Sequence, residues 1–425
     1  MDGRRAVNVR RAAVAVAAAA VFASCATDTR AGTHSGTQSG AQSGARSGVR
    51  AEASAGAAPS ESPSPSPSPS PSSSSSSSSS PSRSPSPATP HGTLLVTDFG
   101  SDTVTFVDPD PERRRHTLAS VRVGTVPYGL VVGDDGLAWV ATAEGVAVVD
   151  TANRTRLARI PYRTRTGPVT TGEYRGGGMG IALAPDGRRV YVGVNVPGGD
   201  GVLEVVDTAR REVVAAVRVG RRPFDVDVSP DGGEVYATGH DSFDVTAVDT
   251  RTLGTRRYEV APYGTEGGLG SWLKPHYAVV RPADGRLLLP FEGERLVVLD
   301  PRSGRSTIEP MTADTHQHGA TITPDGTLLV VGTGPVAAGD RGPSLTVRAP
   351  DGSERVVPLD GPHEDVAVSA DGRTAYVTKG FTRDGYGNGL TVVDLTGKRP
   401  PAEVDAGSRP LGVAVLRAGD GPSLR

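Results

Sequence analysis

One hairpin signal recurs along this chain at a nearly constant interval, and it limits the fold more than any other feature. Asp-Gly pairs stand at Asp135-Gly136, Asp186-Gly187, Asp231-Gly232, Asp284-Gly285, Asp325-Gly326 and Asp371-Gly372, each after a short segment of alternating apolar residues. Such a pair favours a tight turn in which both central residues take positive φ. A β-rich run follows, as at residues 190–194 or 375–378. A third strand then ends in Asp, at Asp108, Asp150, Asp207, Asp249, Asp300 and Asp394. Residues 344–349 fill that slot once without the Asp. The repeat averages about 47 residues, the size of a four-stranded propeller blade.

Seven third strands accompany only six hairpins, and the chain's two ends explain the difference. Residues 409–415 (Arg-Pro-Leu-Gly-Val-Ala-Val) repeat the inner-strand start seen at 222–228 (Arg-Pro-Phe-Asp-Val-Asp-Val), whereas the first repeat, from Thr93, begins at its second strand. The expectation is therefore an all-β, seven-bladed β-propeller over residues 92–418, closed by the C-terminal strand joining the first blade, with 419–425 as a tail. Closure removes the open sheet edges that invite aggregation. With 55 Gly and 4% aromatic residues, the core must be small-residued and turn-rich.

The blades resemble those of the YVTN family of β-propellers. Tyr376-Val377-Thr378-Lys379 differs from the family tetrapeptide in its last letter, and Tyr191-Val192-Gly193-Val194-Asn195 keeps the aromatic start with the Asn one place late. Pro223 with the 226–232 stretch and Val206-Asp207-Thr208 also match. The resemblance covers about residues 93–418 and implies the propeller fold. It does not imply one activity, because such propellers include extracytoplasmic binding and surface proteins, with lactonases and lyases among neighbouring propeller families.

Ahead of the repeats lie an export signal and a spacer. Arg4, Arg5, Arg10 and Arg11 precede an apolar run at 12–23, too short to span a bilayer. The run leads into Phe22-Ala23-Ser24-Cys25, which resembles a bacterial lipobox, so residues 1–24 read as a signal peptide and Cys25, the chain's sole cysteine, as the lipidated N-terminus. Residues 25–91, rich in Ser, Pro and Gly, cannot bury enough apolar surface to fold and read as a disordered linker. These features predict a lipid-anchored, extracytoplasmic protein of the bacterial cell envelope, touching the membrane through its anchor only.

The candidate site is a ring at one mouth of the propeller channel. Counting back from each hairpin, the inner strands begin at Tyr128, Met179, Phe224, His276, His318, Glu364 (beside His363) and Leu411. His316 precedes His318 by two residues. His240, Glu292, Lys379 and Asp98 end second strands and are expected at the same mouth. Neutral imidazoles with a carboxylate suit a transition metal, so His276, His318 and His363 form a candidate ligand set. Tyr128, Met179, Phe224, His276, His318 and Glu364 equally suit a metal-free pocket for a small molecule or envelope protein. A wet structural lining is the third reading. Catalysis by a lyase or lactone hydrolase would use Glu364 or His240 to move a proton. The segments 161–177 and 263–274, the latter with Trp272, are long enough to form a lid.

Other classes are excluded or weak. A net charge of −2 gives no basic face for nucleic acid, and one Cys rules out a disulfide framework. Gly176-Gly177-Gly178-Met179-Gly180 enters a strand rather than opening a helix, so it is no phosphate cradle. Nothing suggests an obligate dimer, and a monomer is expected.

Overall fold

The computed structural model describes residues 92–172, 174–261, 274–291, 295–313, 317–332, 342–380 and 387–416. The proposed signal peptide, Cys25 and the linker lie outside them, as do Trp272, Glu292 and His316. The described residues form seven four-stranded antiparallel sheets, numbered here as blades 1 to 7 in chain order. Blade 1 is completed by the last strand. Pro410–Val415 pairs with Leu94–Asp98 in the register Leu94↔Val415, Leu95↔Ala414 and Val96↔Val413. The expected ring closure is thus observed.

Neighbouring blades press their faces together, and the core lies between them. Trp139, Val146 and Val148 of blade 2 pack with Ile181, Val190 and Val192 of blade 3, and a comparable cluster fills each of the other interfaces. A middle strand is therefore buried on both faces. Leu94–Asp98 and Leu328–Gly332 are buried at every residue rather than at every second one, which is the pattern of a covered sheet. Outer strands such as Arg305–Pro310 remain mostly exposed.

The hairpins differ from the expected form. Only the glycines take positive φ, between 69° and 88°, and the six aspartates do not. In five of the six, the Gly N–H closes onto a carbonyl three residues back, as in Gly187 to Ala184 at 2.9 Å and Gly372 to Ser369 at 2.9 Å. Each Asp instead uses its Oδ1 to accept the N–H two residues on, at 2.9–3.2 Å. The aspartate is chosen as a side-chain acceptor, and only the glycine for its backbone.

Three of the seven inner strands are entered through a left-handed residue followed by proline. Val126, Arg222 and Arg409 have φ of 43°, 52° and 48°, immediately before Pro127, Pro223 and Pro410. Around the channel the strands then approach so closely that a Cβ on Gly180 would stand 2.5 Å from Asp225 Cα. Two aspartates fasten adjacent blades at this level. Asp225 Oδ2 accepts the Ala278 N–H at 2.9 Å, and Asp365 Oδ2 accepts that of Val413 at 3.2 Å.

Candidate functional site at the channel mouth

The seven ring positions converge as the repeat requires, but they divide into an apolar and a polar arc. Phe99, Val126, Tyr128, Met179, Phe224 and Leu411 pack as one cluster over blades 1 to 4, with Tyr277 against it. The polar arc runs over blades 4 to 7. His240, at the end of strand Glu234–Gly239, stacks on Phe224 with ring centroids 5.3 Å apart. Its Nε2 lies 3.1 Å from His276 Nε2. His276 stacks on His318, with centroids 4.5 Å apart, and His318 Nδ1 lies 3.0 Å from Glu364 Oε2. Glu364 Oε1 accepts from the hydroxyls of Tyr128 at 3.2 Å and Tyr277 at 3.4 Å, which returns the network to the apolar arc. His240, His276, His318 and Glu364 are all buried.

Charge enters this network from loops. Asp241 Oδ1 lies 2.7 Å from His240 Nδ1 and 3.3 Å from Lys274 Nζ. Arg222 Nη1 is 3.4 Å from the same His240 nitrogen, while its guanidinium covers the rings of Tyr174 and Phe224 at 4.0 and 5.2 Å. Burial alone would raise the Asp241 carboxyl, but the hydrogen bond from His240 and the charges of Arg222 and Lys274 outweigh it and hold it at about 2. Burial likewise lowers His240 to about 3 against the opposing pull of Asp241, so the ring is neutral at pH 7. With Asp241 ionised, the His240 proton sits on Nδ1 and the lone pair on Nε2.

Beneath the ring the channel opens into a cavity of about 390 Å³, lined by Tyr128, Met179, Phe224, Tyr277 and the carboxylates Asp225, Asp227 and Asp365. Burial raises Asp225 to about 6 and Asp365 to about 7. Asp227 rises well above the ordinary value through burial and then through the charge of Asp225. The sequence reading missed all three. Asp225 and Asp365 each follow a ring residue directly, so the same count would have found them.

Three expected residues stand elsewhere. His363 does not join His276 and His318. Side chains alternate along extended backbone, so while Glu364 faces the mouth, His363 is sealed inside blade 7, with Nδ1 2.7 Å from Gly361 O and Nε2 2.7 Å from Thr391 Oγ1. Both ring nitrogens are thereby engaged in blade 7, and His363 drops out of the candidate ligand set. Lys379 pairs with Asp360 and Glu403 at 2.5 and 2.7 Å. Asp98 accepts from Thr103 and Thr105. Among the described residues, no three His, Cys, Asp or Glu side chains are grouped so as to hold a metal ion.

The 161–177 insertion is pinned at both ends. Glu204 accepts the N–H groups of Arg163 and Thr164 at 3.2 and 2.6 Å. Arg175, fully buried, donates to Val126 O, Gly176 O and Gly178 O at 2.8–3.1 Å.

No protein-family model matches the sequence, and no curated protein matches it. Solved structures match by shape. A functionally unknown protein from Desulfotomaculum acetoxidans shares 10% identity, with 77% of this chain and 99% of that chain covered and a TM-score of 0.57. Streptogramin B lyase shares 12% identity over 75% of this chain and 91% of that chain, with a TM-score of 0.52. The dihydro-heme d1 dehydrogenase NirN, solved in complex with DHE, shares 17% identity over 81% and 79%, with a TM-score of 0.51. At these identities the likeness establishes architecture alone, and the chain is a seven-bladed β-propeller similar in fold to proteins of differing chemistry.

Proposed function

We propose that this protein is an envelope lipoprotein of the YVTN-like propellers, anchored through Cys25, whose channel mouth binds a small molecule or an envelope protein. The observation that carries this reading is the polar arc itself. Four buried polar side chains, His240, His276, His318 and Glu364, meet on one side of a ring that Tyr128, Met179, Phe224 and Leu411 complete largely with apolar surface. Buried polar groups cost stability unless each finds its hydrogen-bond partners, and the apolar arc shows that ring closure does not require them. A wall of aromatic surface beside a few convergent polar groups is the usual make-up of a ligand site.

Native mass spectrometry of the detergent-extracted protein tests the reading. The wild type is expected to carry a non-covalent adduct that His276→Ala and Glu364→Gln lose. A bare mass in all three would overturn it. Replacing Cys25 with Ala is expected to release the chain from the membrane fraction.

A second reading, a lyase or lactone hydrolase, is favoured by one arrangement. Two carboxylate–imidazole pairs, Asp241–His240 and His318–Glu364, stand on either side of His276. The hydrogen-bonded Asp241–His240 pair is placed for proton transfer, and Glu364 lies 3.0 Å from His318. Turnover of lactones abolished by Glu364→Gln would establish it.

A further inference from the structure

We infer that the Nε2 atoms of His240 and His276 chelate one divalent transition-metal ion of the zinc or copper class, which names the ligand chemistry of the mouth and rests on the reading of that mouth as a binding site. The two nitrogens stand 3.1 Å apart. Two imidazoles on one tetrahedral zinc, each at about 2.0–2.1 Å, place their nitrogens about 3.3 Å apart, so a shift of a few tenths of an ångström admits the ion. His240 is already prepared for this. Asp241 holds its Nδ1 at 2.7 Å, which leaves Nε2 to accept the His276 Nε2–H, and binding the ion displaces that proton to solvent. A carboxylate behind the distal nitrogen is the arrangement that orients and strengthens metal-binding histidines.

The rings are also fixed in place. Phe224 stacks on His240 and meets His276 edge-on at 5.3 Å, and His318 covers a face of His276. That stacking decides which histidines share the ion. His276 and His318 lie at 28° with centroids 4.5 Å apart, so their in-plane lone pairs run along neighbouring planes rather than to a common point. The His240 and His276 rings are inclined at 69° and bring their Nε2 atoms edge to edge, 3.1 Å apart. With two described protein ligands, the ion keeps coordination positions open for water or for donor atoms of the molecule docked at the mouth.

The surrounding charges set the selectivity. Among the described residues, Arg222 and Lys274 flank the carboxylate Asp241 beside His240, a field that offers little to an ion held by charge alone. Calcium and magnesium, which depend on anionic oxygen ligands, are disfavoured. An ion bound through nitrogen lone pairs tolerates that field.

The test uses the detergent-extracted full protein, stripped with EDTA, dialysed, and titrated with Zn²⁺ and Cu²⁺ against a chromophoric chelator, with Ca²⁺ and Mg²⁺ in parallel. One equivalent of Zn²⁺ or Cu²⁺ is expected. His240→Gln and His276→Gln each weaken binding about 100-fold or more, and Asp241→Asn weakens it about 10- to 100-fold. Circular dichroism confirms that each variant is folded. Electron paramagnetic resonance of the Cu²⁺ form reads two coupled nitrogens in the wild type and one in either His variant. No bound metal, or metal retained undiminished in both variants, overturns the inference. A wild type that takes no metal yet carries an organic or protein adduct lost in His276→Ala overturns the metal and leaves the mouth as a ligand site. Metal bound as expected without any adduct does the reverse.

Discussion

Thr97 and Gly412 lie 315 residues apart in sequence, yet the Gly412 N–H donates to Thr97 Oγ1 at 2.8 Å, and that hydroxyl donates onward to Tyr128 O at 2.5 Å. One side chain therefore joins the first strand, the last strand and the next blade. Thr97→Val keeps the shape and removes both bonds, stranding a buried N–H and a buried carbonyl. The expected loss is about 1–3 kcal/mol for each stranded group, read from urea midpoints, with Thr97→Ser retaining most of the stability. A Val variant as stable as the wild type would sink the assignment.

Turn carboxyls and channel carboxyls should move stability in opposite directions with pH. Hydrogen bonds to turn groups depress the carboxyls of Asp207, Asp249, Asp300 and Asp394. Their stabilisation is present above the unfolded value near 4 and fades as pH falls below it. Asp225 and Asp365 behave oppositely, because burial raises them to about 6 and 7. The folded state resists their ionisation, so stability declines as pH climbs from about 4 through 7. Because the buried His240 resists protonation and adds stability as pH rises over the same range, the channel contribution is read by difference: Asp365→Asn is expected to gain stability relative to the wild type between pH 5 and pH 8, and a constant difference would contradict it.

Asp227 supplies a sharper version of the same experiment. Its Oδ2 is buried without a hydrogen-bond partner, and the carboxyl faces the charge of Asp225. Asp227→Asn is expected to stabilise the protein at pH 8 by about 1 kcal/mol and to change little at pH 4. Equal shifts at both values would show that charge is not the cause.

The left-handed entry to the closing strand gives a backbone prediction. Arg409 sits at φ 48°, where a side chain costs about 1–2 kcal/mol. Its N–H bond to Asn388 Oδ1 involves only the main chain. Arg409→Gly should therefore unfold at a higher urea concentration than Arg409→Ala. The reverse order would mean that the strain is relieved by other means.

What could be read from the sequence follows a physical divide. Hairpins, blades and closure were legible because Asp-Gly turns and buried strands are local and periodic, and the same period brought Tyr128, Phe224, His276, His318 and Glu364 to one level. His363 was misplaced by a single residue, which in extended backbone is the difference between the mouth and the blade interior. Arg222, Asp241 and Lys274 were invisible for another reason. Lys274 reaches Asp241 across 33 residues of sequence, and no repeat fixes where such a segment lands, while Arg222 and Asp241 were hidden beside Phe224 and His240. Asp225 and Asp365 obeyed the period but were hidden beside more conspicuous neighbours.

The mixed first blade has a mechanical consequence. A pull on the chain at Gly92 reaches Leu94–Asp98, which is flanked by Pro410–Val415 on one side and Thr103–Val107 on the other. A strand at the rim of a sheet can be peeled away one hydrogen bond at a time. This one can leave only by sliding against two partners together, so its ladders resist as a set. The point where the propeller meets the preceding chain is thus gripped in shear, and the same strand pairing that closes the ring resists being drawn out of it.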